Sequence, residues 1–287
     1  ITLFVEDKNE QLLEFMEYID FFHIIPSKGN KYLIFTIIGL KFRKNKYDIS
    51  LAAKTGIGSA NGFFPFILGA KKKISYVSKN KTWTDRLVNS PIKYSEKIYH
   101  NQHYALGVLQ LLNSELKKIP DSLYPKLKIK NGCQNNLIPK ILLSVSNNRQ
   151  SCLLNNIRLA EIINTLSLKF NFEVCISALE SDYAKALDLN NKLATKSVIR
   201  VTPKLADFIE LINSVELCFF GEGGGMHMAA AIGVHQVVLF GHTSITTWSP
   251  LSKIATVLDD KSDVNNIPTI AIIDALERKL QIIESQY

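Results

Sequence analysis

Between Val215 and Phe240 an apolar, strand-like run enters Gly221-Glu-Gly-Gly-Gly225, continues as the helix-like Met226 to Ile232, and returns after Gly233 to a second apolar run, Gln236 to Phe240. A strand, a glycine loop, a helix and a further strand make a βαβ unit, and such units build parallel sheets covered by helices. The same junction has a chemical consequence. A glycine-rich loop that opens a helix leaves unpaired backbone N–H groups and the positive end of the helix dipole where a phosphate can sit. In α/β sheets that place, at the carboxyl ends of the strands, is where ligands are generally bound.

The alternation extends over the chain. In the N-terminal half Ile1 to Val5 is strand-like, Asn9 to Tyr18 has helical spacing and Phe22 to Ile25 is a short apolar run. Tyr32 to Lys41 follows as helix, Tyr47 to Ala53 as strand, Ser59 to Leu68 as helix and His100 to Leu116 as helix. In the C-terminal half Lys140 to Val145, Glu173 to Ala178, Val215 to Phe220 and Gln236 to Phe240 read as strands. Ile157 to Leu168, Asp182 to Leu193, Lys204 to Asn213 and Met226 to Ile232 read as helices. The amphipathic stretch Ile267 to Ile283 is expected to form a last helix that packs back across the first domain. Breakers crowd the span from Ile119 to Pro139 (Pro120, Pro125, Gly132, Asn135, Asn136, Pro139), which suits a linker. Two domains are therefore expected, residues 1–130 and 131–287, as the length of 287 residues also suggests.

Composition excludes several classes. With 46% apolar and 21% charged residues the chain reads as globular, and no apolar run approaches the roughly 20 residues of a membrane-spanning helix. Ile1 to Val5 has no basic region before it and no cleavage site behind it, so no signal peptide is expected. A strand at the first residue, and an Ile there instead of Met, suggest that coding sequence lies upstream. Cys133, Cys152, Cys175 and Cys218 lack zinc or CxxC spacing and read as reduced thiols of a cytoplasmic protein. Charge is uneven: residues 1–130 carry 21 Lys and Arg against 11 Asp and Glu, net +10, and residues 131–287 carry 13 against 15, net −2. A basic N-terminal half fits an anionic partner, a membrane face or a phosphorylated glycolipid among them; a coding bias toward Lys and Asn would give the same excess. No aromatic and basic interleaving of a nucleic-acid module is present.

The glycine loop is not a nicotinamide fingerprint, because Met226 stands where G-x-G-x-x-G/A needs its last small residue. Glu222 and His227, an acid and an imidazole at the ligand edge of a sheet, are hard to explain by packing, although a structural role remains open for His227. Gly221-Glu-Gly-Gly-Gly-Met-His-Met-Ala-Ala-Ala-Ile-Gly233, with Val237 to Thr243 and Trp248-Ser-Pro250, resembles the signature region of glycosyltransferase family 9, the heptosyltransferases. Weaker similarity covers Tyr47 to Gly56, Gly69 to Tyr76 and His100 to Leu112.

The resemblance implies an α/β fold of GT-B type, two Rossmann-like doubly wound domains facing a cleft, with Glu222 to His227 turned toward it. Carried over, Glu222 would contact the donor sugar, with Gly223, Gly224, Gly225, Met226 and His227 along the diphosphate and Thr243 as a phosphate-side hydroxyl. Ser144 to Arg149 and Glu180 or Asp182 fall where the family reads the nucleoside, an acid there accepting the ribose hydroxyls. The chain departs from the family in four places. Glu222 replaces Asp, His242 replaces Pro, and Cys152, Leu154 and Asn155 stand where a Lys and Trp-Pro are usual, so Arg149 is a candidate for the missing positive charge. The acid expected to act as base sits in an opening Gly-Asp loop, upstream of Ile1. Lys54 and the lysines at 71–73 are candidates for the acceptor side.

The function implied is metal-independent, inverting transfer of a sugar, a heptose from ADP-heptose foremost, to a lipopolysaccharide core or related glycan at the cytoplasmic face of the inner membrane. The nucleotide-sugar is a co-substrate and no cofactor is expected. The alternative is a catalytically silent relative that binds a nucleotide or a partner only.

Overall fold

The computed structural model describes residues 1–53, 58–78, 82–95, 101–129 and 138–286. They form two compact units, Ile1–Glu10 with Tyr18–Leu123 and Thr246–Trp248, and Gln11–Glu17 with Tyr124–Ile245 and Ser249–Tyr287. The boundary expected near residue 130 abuts residues 130–137, which lie outside the described residues, as does Lys54.

In the first unit β1 (Thr2–Glu6) pairs in parallel with β2 (Phe21–Ile25), and β3 (Ile49–Leu51), β4 (Lys72–Val77) and β5 (Ser90–Lys93) form a three-stranded parallel sheet in that order. Helix α1 (Lys31–Phe42) starts where the Asn30 side chain accepts hydrogen bonds from the backbone N–H of Tyr32 and Leu33. It packs on α2 (Ser59–Leu68) so closely at Gly39 that a Cβ there would lie 2.5 Å from Ile67 Cγ2. Two expected helices differ. Asp7–Phe15 is a nine-residue 3-10 helix, and α3 spans only Tyr104–Leu109, opened by the His103 ring, which accepts from the Ala105 N–H. Asn113 and Ser114, poor helix formers, follow soon after its last turn.

The second unit is a doubly wound α/β domain. Its strands are β6 (Lys140–Ser144), β7 (Glu173–Ala178), β8 (Ser197–Val201), β9 (Leu217–Gly221), β10 (His235–Phe240) and β11 (Ala255–Asp259). All neighbouring strands pair in parallel, in the order β11-β10-β9-β6-β7-β8. Helices α4 (Asn156–Ser167), α5 (Tyr183–Asn190), α6 (Leu205–Asn213), α7 (Gly224–Ile232) and α8 (Thr269–Glu284) complete it.

The side-chain period of two explains why these strands are apolar throughout. Ile141, Leu143, Leu217, Phe219, Val237 and Leu239 join one core with α4 and α8, while Leu142, Cys218, Phe220, Val238 and Phe240 join the other with α6 and α7. Helix α8 buries Ile272, Leu276, Leu280 and Ile283 in the first of these cores and packs on α4. Its apolar face is thus spent on the second unit, where the periodicity had suggested packing across the first domain. Chain order reverses between β6 and β9, and their carboxyl ends frame the crevice in which such folds bind ligands. No helix among the described residues is long and apolar enough to cross a membrane.

Candidate active site

Three loops leave the sheet side by side at this reversal, after β6, β9 and β10, and one carboxylate ties them together. Glu222, the first residue after β9, is 1% exposed. Its Oε1 accepts from Arg149 Nη1 at 3.3 Å, Cys152 Sγ at 3.1 Å and the N–H groups of His242 and Thr243 at 3.2 Å each. Its Oε2 accepts from the Thr243 N–H at 3.2 Å and from the Thr243 hydroxyl. The main chain is fixed as well, since the Glu222 N–H donates to the Leu239 carbonyl and the Glu222 carbonyl accepts from Asn147 Nδ2 at 2.9 Å.

Burial alone would raise the Glu222 pKa. The Thr243 hydroxyl, the Cys152 thiol, the Thr243 N–H and the Arg149 charge together outweigh it and hold the carboxyl below its ordinary value. The carboxylate is ionised, and its acceptor capacity is taken up by this chain's own donors. Cys152 is the complementary case: burial, then the Glu222 hydrogen bond and charge, push its thiol to about 11, so it stays protonated and can donate.

Glycine is required here by contact. A Cβ at Gly221 would lie 1.7 Å from the Cys152 carbonyl oxygen, and one at Gly241 would lie 2.7 Å from the Ser151 carbonyl oxygen. Residues 151–152 are thus wedged against the ends of β9 and β10. Beyond them Gly223 is extended and precedes α7, whose first turn has only Gly224 and Gly225 before Met226, so the first N–H groups of the helix are bare of side chains.

Several expected site residues converge. Glu222 is turned inward, and its carboxylate holds Arg149 and Thr243. The Thr243 hydroxyl is committed to Glu222. Met226 belongs to the core, 2% exposed among Ile212, Phe220 and Val238, because the third residue of α7 faces the sheet. His227 is half-buried on the same helix. Arg149 keeps 45% of its side chain exposed beyond the contact with Glu222, leaving guanidinium donors open to solvent. Ser144 ends β6, its hydroxyl donating to the Ser146 carbonyl at 3.3 Å. Of the two acids after β7, Asp182 accepts from Ser146 Oγ and Lys185 Nζ at 2.8 Å each, and these bonds hold its pKa low. Glu180 is exposed. Cys152, expected only as a departure from the family's lysine, and Asn147, expected only as part of the Ser144 to Arg149 loop, both bond to Glu222, and no local pattern marks that role: they meet it across 70 and 75 residues of sequence.

A cavity of about 400 Å³ opens beside these loops, walled by Ser144, Cys152, Asn156, Lys185, Asp188 and Gly221 among others, within the range of small-molecule sites. A family model for glycosyltransferase family 9 (heptosyltransferase) matches residues 38–269, which contain this whole constellation. The chain belongs to glycosyltransferase family 9. It is a glycosyltransferase, and solved structures show its fold to be GT-B. A family 9 glycosyl transferase from Veillonella parvula superposes with a TM-score of 0.79 at 15% identity, over 98% of this chain and 88% of that one. The ADP-heptose lipopolysaccharide heptosyltransferase II of Escherichia coli gives 0.76 at 15% identity, over 99% and 90%. An Escherichia coli heptosyltransferase solved with ADP gives 0.67 at 10% identity, over 97% and 100%. A search of curated protein sequences finds no match.

Proposed function

We propose that this family 9 transferase takes a heptose from an ADP-activated donor and passes it, with inversion, to a lipopolysaccharide core or related anionic glycan at the inner face of the inner membrane. The observation that carries the donor half is the pairing of two positive features at the sheet's reversal point. The side-chain-free N-terminus of α7 supplies N–H donors, and Arg149, anchored by Glu222, supplies a half-exposed guanidinium. Together they offset the charge that builds on a departing diphosphate. The Escherichia coli relatives solved with ADP and with ADP-2-deoxy-2-fluoro heptose point to the same donor class. Glu180, exposed at the end of β7, is assigned to the ribose hydroxyls, and Asp182 to holding the Ser146 turn.

Calorimetry with ADP, ADP-heptose and a UDP-sugar tests this reading. ADP is expected to bind, and Arg149→Ala to weaken it by about 10- to 100-fold, the worth of a charge-assisted hydrogen bond of about 1.5–3 kcal/mol. Glu180→Gln should weaken ADP while leaving inorganic diphosphate unchanged. Absence of affinity for every nucleoside diphosphate overturns the reading. A second reading, binding without transfer, has one observation in its favour: Cys152, where the family resemblance calls for a lysine, is buried and protonated. Tight ADP binding with no ADP release from ADP-heptose across several glycan acceptors selects it.

A further inference from the structure

Helix α1 is apolar on every side, KYLIFTIIGLKF, and such a helix is ordinarily buried all round. Here only one side is covered. Ile34, Phe35, Ile38 and Gly39 turn inward, Gly39 against α2. Leu33, Ile37 and Leu40, spaced i, i+4 and i+7 on one face, are 59%, 59% and 56% exposed. Lys44 is exposed just past the helix end, in the 3-10 helix Arg43–Asn45. At the helix start Tyr32 stacks on Trp83, 6.5 Å between ring centres, and Trp83 is itself 60% exposed. Tyr and Trp are the side chains that favour the boundary between lipid headgroups and acyl chains. Along the segment the charge has one sign: residues 21–47 hold Lys28, Lys31, Lys41, Arg43, Lys44 and Lys46 and no Asp or Glu, with Asp20 and Asp48 at its borders and Asp7 acting on Lys28. Lys31 is the one of these that approaches an acid from outside the segment, Glu6 at 3.6 Å, among the described ion pairs.

We infer that the outer face of α1 docks the protein on an anionic phospholipid surface. Leu33, Ile37 and Leu40 enter the headgroup boundary, Tyr32 and Trp83 sit at its level, and Lys41 and Lys44 meet the lipid phosphates. The charge decides against a second copy of the chain as occupant. A two-fold contact sets the same patch against itself, and here that would bring cations against cations. The inference deepens the proposed reading, in which the acceptor is membrane-borne, but its evidence lies wholly in α1 and its surroundings.

Co-sedimentation of the full chain with vesicles tests it without donor or acceptor, so its failure is separate from failure of the transfer reading. The chain is expected to pellet with phosphatidylcholine vesicles containing phosphatidylglycerol, and far less with phosphatidylcholine alone. Leu33→Ser with Ile37→Ser should weaken partition by at least tenfold. Lys41→Gln with Lys44→Gln should weaken it by about fivefold per lysine at low salt and flatten its salt dependence. Because these side chains face solvent, both variants should melt at the parent temperature; if the serine pair melts early, the lysine pair still decides. The inference is overturned if the parent stays in the supernatant with anionic vesicles or pellets equally with neutral ones. It is equally overturned if the lysine pair partitions like the parent, or if sedimentation velocity without lipid shows a dimer that Ile37→Ser dissolves.

Discussion

Glu222→Ala is expected to destabilise the second unit by roughly 3 kcal/mol, because each donor it orphans in the buried crevice costs about 1–3 kcal/mol, less where water can enter. Arg149, half-exposed, regains water and contributes little of that loss. The His242 and Thr243 N–H groups and the Cys152 thiol carry most of it. Urea unfolding measures the difference, and a variant within 0.5 kcal/mol of the parent would show that the network holds nothing together. Acid supplies an independent check. The folded carboxyl titrates below its ordinary value of 4.5, so its stabilising share is fully present above that pH and is lost as pH falls through the folded pKa. The gap in stability between the parent and Glu222→Gln should therefore be constant near neutrality and shrink below about pH 4.5. A gap that widens on acidification would mean that the carboxyl is protonated in the native protein.

Gly221→Ala should be at least as damaging. Its new methyl carbon would sit 1.7 Å from the Cys152 carbonyl oxygen, a contact between two pieces of backbone that no rotamer change can relieve. Either β9 or the 151–152 turn must move, and with it the hydrogen bonds of Glu222. We expect a loss of about 3 kcal/mol or more, or no folded second unit at all. Two glycines serve as controls. Gly233, at φ +90° with open space around it, should lose only about 1 kcal/mol to left-handed strain on conversion to alanine. Gly223 is extended, and a Cβ there meets nothing nearer than Asn147 Nδ2 at 3.5 Å, so Gly223→Ala should fold normally and weaken ADP instead. Melting curves for the three proteins decide the order, and a Gly221→Ala protein that melts with the parent would refute the close approach.

The contrast between these positions shows what a sequence can and cannot disclose. Strand β7 is legible at the bounds the structure gives it, Glu173–Ala178, because it is apolar on both faces and stops at a polar turn. Strands β8 and β11 are not: they lie at the sheet edges, only partly buried, and mix Arg200 or Thr256 into short runs with no clear period. The glycine loop is legible because local chemistry, strand to glycines to helix, determines it. The direction of the Glu222 side chain is set by partners 70 to 73 residues before it and 20 to 21 after it, which no local pattern encodes. Met226 misleads for a related reason. Its place in a family motif marks it for the ligand, while the phase of α7 turns it to the core.

Because one side chain fastens the segments after β6, β9 and β10 at once, those segments cannot relax independently. A ligand that stills Arg149 also restricts, through the Glu222 carboxylate, the turn at His242 and Thr243, so part of the entropic penalty of ordering that turn is already met before a second ligand group arrives there. Ligand groups that meet Arg149 and that turn would thus be sensed by a single mechanical element, and together they should bind with more than additive strength.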